Sequence, residues 1–219
     1  MKRSANTDTA STVYESHSVV RLPEVVIVVA AQYFEHSTYI DWRHDTVAGL
    51  ATQLADGLTG DSAIVKACFE WVRDDIRHSV DYQLNPVTCK ASDVLKHRTG
   101  YCYAKSHLLA ALLRANGIAA GLCYQRLSLD GVGASYCLHG LNAVYLSGVG
   151  WYRIDPRGNT ATVNAQFVPP REQLAFPLLQ PGERDIPGIY SNPLPAVIRT
   201  LTSCRTWQAA YTCLPDLEY

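Results

Sequence analysis

The sequence predicts an α+β fold on three observations. Segments with apolar residues at helical spacing come first, between residues 42 and 115, and segments alternating at period two follow, between 118 and 155. Beyond residue 168 the composition changes, because eight of the eleven prolines lie there. A chain of 219 residues with 47% apolar and 18% charged types has the length and composition of one globular domain with appendages. The expected division is a flexible arm over 1–20, a core domain over 21–176, and a Pro-rich extension over 177–219 packed on that same domain.

Each element has its reason. Residues 1–20 are polar, with Ser and Thr alternating and no period, and residues 24–34 form a β-branched run that predicts a strand. From Trp42 to Leu58 the positions Trp42, Val47, Leu50, Ala51, Leu54 and Leu58 keep a helical period, which Gly57 and Gly60 end. A second helix over 62–77 carries a wide stripe of Ile64, Val65, Cys68, Phe69, Trp71, Val72 and Ile76, with Asp61 or Ser62 as its expected cap. Asn85-Pro86 breaks the chain, and Ser92 is expected to cap a short helix ending at His97. Thr99-Gly100 opens a third helix over 101–115, apolar at Ala104, Leu108, Ala111, Leu112 and Ala115, and Gly117 stops it. Segments 118–127, 136–146 and 150–155 read as strands, the last two joined by Ser147-Gly148-Val149-Gly150. The Pro-rich tail predicts an irregular segment laid over the surface with one helix near 195–210, most simply a strap on the back of the sheet, with a lid over the groove or a dimer contact as alternatives.

Several classes are disfavoured by composition. A formal net charge of −1 gives no electrostatic reason to bind nucleic acid or an anionic membrane. The apolar run from Val25 to Ala31 is far short of the ~20 residues of a spanning helix. Met1-Lys2-Arg3 is followed by polar residues rather than by the apolar stretch of an export signal, so the expected location is cytoplasmic. Seven cysteines, an odd number without C-x-x-C spacing, are expected to be reduced. No metal or other cofactor is expected: Cys102 and His107 fall on different faces of their helix, and there is no D-x-D-x-D-G calcium loop.

One cysteine is placed differently from the rest. Thr99-Gly100-Tyr101-Cys102 sets a thiol in the first turn of an apolar helix, where unpaired N–H groups and the helix dipole favour an anion. His139 opens one of the strands and Asp155 ends the next. A thiolate nucleophile needs an imidazole within hydrogen-bond reach and a third group that fixes the imidazole tautomer, and Cys102, His139 and Asp155 supply those types in that order. The other histidines (17, 36, 44, 78, 97, 107) read as structural.

These residues resemble the transglutaminase-like superfamily, a branch of the papain-like cysteine enzymes, over about residues 40–175. The resemblance rests on the run Ala91 to Cys102, which looks like a short helix leading into G-x-C, and on Leu108 to Ala119, similar to the family's L-x-x-A-L-L-R-A-x-G-I-x-A helix. It rests also on the His139 strand, the Gly150-Trp151 turn and Asp155-Pro156. It implies a papain-like core with Cys102 as nucleophile at a helix N-terminus packed on an antiparallel sheet. His139 is then general base and acid, and Asp155 the orienting group. The implied activity is acyl transfer through a thioester on Cys102. Hydrolysis of a peptide, protein or small amide is the leading expectation, with transglutaminase or amide-forming acyltransferase activity, or a non-catalytic binding module, as alternatives. Tyr101 and Leu141 stand where many members have an acidic residue and a Trp. The second oxyanion donor is unassigned; Trp71, His78, Tyr82 and Gln83 lie upstream as candidates. A simple hairpin pairing 146 with 151 would turn His139 and Asp155 to opposite faces, so the triad requires a bulge or a shifted turn near Gly148 and Gly150.

Overall fold

The structure, a computed structural model, describes residues 29–133 and 135–217. The expected arm and most of the expected N-terminal strand lie outside these residues. The end of that strand differs from expectation, since Ala31–Tyr33 is a single 3-10 turn.

Three helices precede the Cys102 segment: α1 (Asp45–Ala55), α2 (Asp61–Asp75) and α3 (Ala91–His97), with a two-residue strand β1 (Arg77–His78) after α2. The expected side-chain caps are absent: Gly60 precedes α2 and Lys90 precedes α3, neither with a capping side chain. Ser92 instead gives its hydroxyl proton to Asp41, whose carboxylate also accepts from the Ser92 N–H.

The central helix α4 (Cys102–Ala115) follows a second short strand, β2 (Thr99–Gly100). Every residue of α4 from Cys102 to Arg114 is buried, more than the one apolar face expected. The reason is its position between layers: α1, α2 and α3 pack on one side, and strands β3 (Ala120–Ser128) and β4 (Tyr136–Leu146) on the other. Two of its buried polar side chains, Arg114 and His107, bond backbone carbonyls. The Arg114 guanidinium donates to Ala120 O, Glu35 O and Ser191 O at 2.8–3.0 Å, and a His107 ring nitrogen meets Cys89 O at 2.8 Å.

Strand β5 (Gly150–Ile154) follows β4, and two strands, β6 (Gln166–Val168) and β7 (Arg171–Gln173), form a separate hairpin. The tail departs from the expected strap. Its strand β8 (Arg184–Tyr190) completes the main antiparallel sheet, in the order β5-β4-β3-β8. Pro187 is tolerated because β8 is an edge strand and the proline falls in a bulge: Tyr124 pairs with Ile186, but Leu122 pairs with Tyr190. Helices α5 (Pro195–Ser203) and α6 (Trp207–Tyr211) follow. Among the described residues no helix is long and apolar enough to cross a membrane.

Candidate active site

Three local features bring Cys102 and His139 together. Parallel pairing of β1 with β2 joins Arg77 to Thr99 and His78 to Gly100, which sets the segment before the thiol and draws His78 beside it. Tyr101 occupies the N-cap of α4 without a capping side chain, and the first turn contains no acidic residue, so the N–H groups and dipole there act on the thiol undiluted. Strand β4 then passes very close to α4. A Cβ on Gly140 would lie 3.0 Å from Tyr103 Cα and 3.2 Å from Tyr103 N, so only glycine allows this approach. The Tyr103 hydroxyl donates to Leu138 O, and Gly140 N–H points at Cys102 Sγ from 3.4 Å.

The hairpin register resolves the facing problem. The loop holds three residues, Ser147-Gly148-Val149, so Leu146 pairs with Gly150 and Asn142 with Ile154. Positive φ at Gly148 (78°) and Gly150 (91°) makes the wider turn possible. Extended by one residue, that register sets Asp155 opposite Leu141, two positions from His139, and both side chains fall on one face. His139 Nε2 meets Asp155 Oδ2 at 2.7 Å. The same carboxylate accepts from Ala175 N–H at 3.0 Å and from Arg157 N–H at 3.1 Å. With Nε2 engaged, Nδ1 is the nitrogen left for the thiol.

The charges follow from these contacts. Burial pushes the Cys102 thiol up, but the charge and hydrogen bond of His139, then those of His78, outweigh it and bring the thiol below its ordinary range. Burial pushes His139 down, and the neighbouring Asp155 carboxylate and Cys102 sulfur overcome it, raising the imidazole well above its usual value. Burial likewise raises Asp155, yet the imidazolium and the hydrogen bonds hold it below the carboxylate range. The arrangement favours a thiolate–imidazolium pair over neutral thiol and imidazole.

Residues 48–156 match the model of the transglutaminase-like superfamily, a segment that contains Cys102, His139 and Asp155. That segment belongs to the transglutaminase-like superfamily. No curated protein matches it in sequence. Solved structures similar to this transglutaminase-like chain include a candidate cysteine protease from Cytophaga hutchinsonii, at 22% identity and a TM-score of 0.45, covering 57% of this chain and 40% of that one. The periplasmic domain of TgpA from Pseudomonas aeruginosa is similar at 21% identity and a TM-score of 0.42, with 57% and 45% covered. A structure described as a TGase gives 18% identity and a TM-score of 0.38, with 58% and 33% covered. The chain thus spans less than half the length of each of these three.

Around the paired groups the transglutaminase-like site has features that sequence reasoning missed or underweighted. His78, grouped with the structural histidines and named only as one of several donors, lines the cleft beside the thiol and helps to lower its pKa; Trp71, Tyr82 and Gln83 do not line the cleft. No pattern of spacing marks His78, because strand pairing alone brings it there. Its Nδ1 faces Asp81 at 3.6 Å, and Asp81 is bound by both Arg157 amines at 2.8 and 2.9 Å. The Arg157 guanidinium covers Phe176 at 5.3 Å, and that ring meets His139 edge-on at 5.0 Å. Lys105, one turn after Cys102, is fully buried; its Nζ donates to Arg73 O and Ile76 O and so ties the end of α2, just before His78, to α4.

The tail reaches the site instead of avoiding it. A cleft of about 460 Å³ over Cys102 and His139 is walled by Leu127, Leu129, Leu138, Phe176, Leu179, Tyr211 and Leu214. Glu183 lines it too, but its carboxylate accepts from the N–H groups of Ser128, Leu179 and Gln180. The two positions that differ from many members have separate fates. The Tyr101 hydroxyl donates to Trp207 O at 2.6 Å, which fastens the residue beside Cys102 to α6. Leu141 is buried with Cys123 and Ala143 and does not line the cleft. Among the described residues no group of three or more His, Cys, Asp or Glu side chains is arranged to hold a metal ion.

Proposed function

We propose that the chain catalyses acyl transfer through a thioester on Cys102 and releases the acyl group to water, as an amidase or peptidase. The observation that carries this reading is one continuous arrangement. A thiol in the first turn of α4 faces an imidazole whose other nitrogen is held at 2.7 Å by a buried, doubly hydrogen-bonded carboxylate.

The steps follow from those groups. The Cys102 thiolate attacks the carbonyl carbon, and the oxyanion is received by the Cys102 backbone N–H and by His78, the proposed second donor. Collapse breaks the carbon–nitrogen bond while the His139 imidazolium gives its proton to the leaving amine. The neutral imidazole then takes a proton from water, which attacks the thioester, and the carbon–sulfur bond breaks to free the acid and restore the pair. Throughout, Asp155 holds the ring by Nε2.

The cleft walls suggest which amides fit. Leu129, Leu179 and Tyr211 expose large apolar surfaces around the opening, and the nearest charged side chains, Arg157 and Glu183, are already engaged with Asp81 and backbone N–H groups. The proposed substrate is a peptide or small amide with an apolar group next to the scissile carbonyl.

The test exposes purified protein to casein and to dipeptide amides with apolar or charged side chains, with and without an amine donor, using Cys102→Ala as control. Release of acid from the apolar amides, with a trapped acyl–Cys102 adduct by mass spectrometry, supports the reading. Amide product in preference to acid would make the enzyme a transamidase. Thiol labelling at Cys102 no faster than at the other cysteines, with no turnover, would leave a binding module.

A further inference from the structure

All seven cysteines, expected to be reduced, are free thiols in the structure, and two of them are placed to pair. Cys204 and Cys213 lie on either side of α6, with sulfurs 3.1 Å apart. A disulfide needs about 2.05 Å, so bonding requires a closure of about 1 Å, within the reach of side-chain rotation. Cys213 is exposed, Cys204 and Cys137 are half-buried, and Cys68, Cys89, Cys102 and Cys123 are buried, so a soluble oxidant meets Cys213 first.

The segment between them and the two residues after Cys213 border the cleft. Tyr211 and Leu214 form part of its wall. Trp207 O accepts from Tyr101, the neighbour of Cys102, and Trp207 N–H donates to Asn85 at 2.7 Å. Pro215 O accepts from Leu138 N–H at 2.7 Å, beside His139. Thr200 holds Cys213 O at 2.9 Å, which ties the second cysteine to α5. A bond between residues 204 and 213 would therefore close a ring around α6 that holds Tyr211 of the cleft wall and Trp207, whose carbonyl accepts from Tyr101 beside Cys102.

We propose that Cys204 and Cys213 are a redox-active pair that forms an intrachain disulfide and thereby stiffens the α6 wall of the cleft. The oxidant is a small disulfide such as oxidised glutathione. The exposed Cys213 thiolate attacks it, giving a mixed disulfide and one reduced glutathione. Cys204 thiolate then attacks the Cys213 sulfur and expels the second. The chain gives up two electrons and two protons, and one glutathione disulfide becomes two thiols. Bond formation itself is independent of the proposed acyl transfer; only its effect on the cleft rests on that reading.

The full chain is equilibrated with oxidised and reduced glutathione at graded ratios, alkylated and digested with trypsin. Arg205 lies between the two cysteines, so cleavage separates them unless they are bonded. The expected result is a linked pair of peptides, 200–205 with 206–219, and five alkylated cysteines where the reduced chain of seven gives seven. A rise in melting temperature of about 5 °C on oxidation should accompany it, lost in Cys204→Ser. The cleft is read separately, by labelling Cys102 with a bulky thiol reagent, which should slow at least about threefold on oxidation in the wild type and not in Cys204→Ser. Glutathione retained on either cysteine, or two free thiols under strongly oxidising ratios, would overturn the pairing. A linked pair with unchanged Cys102 labelling would overturn the stiffening, and absence of turnover would leave the pairing result untouched.

Discussion

Adding one methyl group at Gly140 tests whether the close passage of β4 over α4 makes the site. The new Cβ would stand 2.9 Å from Tyr103 Cδ1, 3.0 Å from its Cα and 3.2 Å from its N. Carbon atoms rest about 3.5–4.0 Å apart, so relieving the clash with the Tyr103 backbone carbon alone demands about 0.5–1 Å of separation. Tyr103 cannot yield, because two of the three atoms met are backbone at the start of a buried helix and its hydroxyl is held by Leu138 O. The strand must retreat, taking His139 and the Gly140 N–H away from the sulfur. Overpacking of this size costs about 1–3 kcal/mol of stability. A misplacement near 1 Å lowers turnover by about a hundredfold. The assay is the pH profile of Cys102 alkylation by iodoacetamide, alongside thermal melts. In the wild type the reactive limb should begin well below the ordinary thiol range, and in Gly140→Ala its midpoint should rise toward about 8.5. Gly49→Ala is the control: it sits within α1 with nothing near its Cβ position, and should stabilise the fold by about 0.5–1 kcal/mol. If Gly140→Ala melts with the wild type and keeps its alkylation profile, close approach is not what holds the thiolate.

Other expectations follow from the same contacts. Asp155→Asn should lower the His139 pKa and raise that of Cys102, cutting turnover by about a hundredfold or more and narrowing the pH–rate profile from both sides. Because the folded Asp155 pKa is depressed, its stabilisation is present above about pH 4 and fades as pH falls through the folded value, so the variant's acid unfolding limb should be flatter in circular dichroism. His139 is raised, so its share is complete below about pH 6.5 and fades as pH climbs through the folded value; in Asp155→Asn this alkaline loss should come at lower pH. His78→Phe should lower kcat by about a hundredfold with little change in the melt, and His78→Gln should recover part of it by supplying an N–H donor; equal kinetics in the two variants would remove His78 from the oxyanion site. Arg114→Met would strand the carbonyls of Ala120, Glu35 and Ser191, lowering the urea midpoint by the equivalent of about 3–5 kcal/mol with unchanged slope.

Much of the helical half was legible from period alone, since α1, α2 and α4 each turn a regular set of apolar residues toward one another. The tail was not, because proline density is a local signal and β8 is stabilised by distant pairing. An edge strand with a bulge accommodates the Pro187 that, taken locally, argues against any strand. The side-chain order of Cys102, His139 and Asp155 was visible, but their meeting depended on a one-residue difference in hairpin register that flips every side chain beyond it.

By itself, the sequence determined the succession of helices and strands, the cysteine at a helix start, and the residue types able to form a thiolate–imidazolium pair. These are consequences of local periodicity and of chemistry carried by single side chains. Only the tertiary structure decided that His78 stands beside the sulfur, that the proline-rich tail supplies a wall of the cleft, and that Cys204 faces Cys213. Those are contacts between segments far apart or folded back on one another, and their energy appears only when the backbones have been brought together.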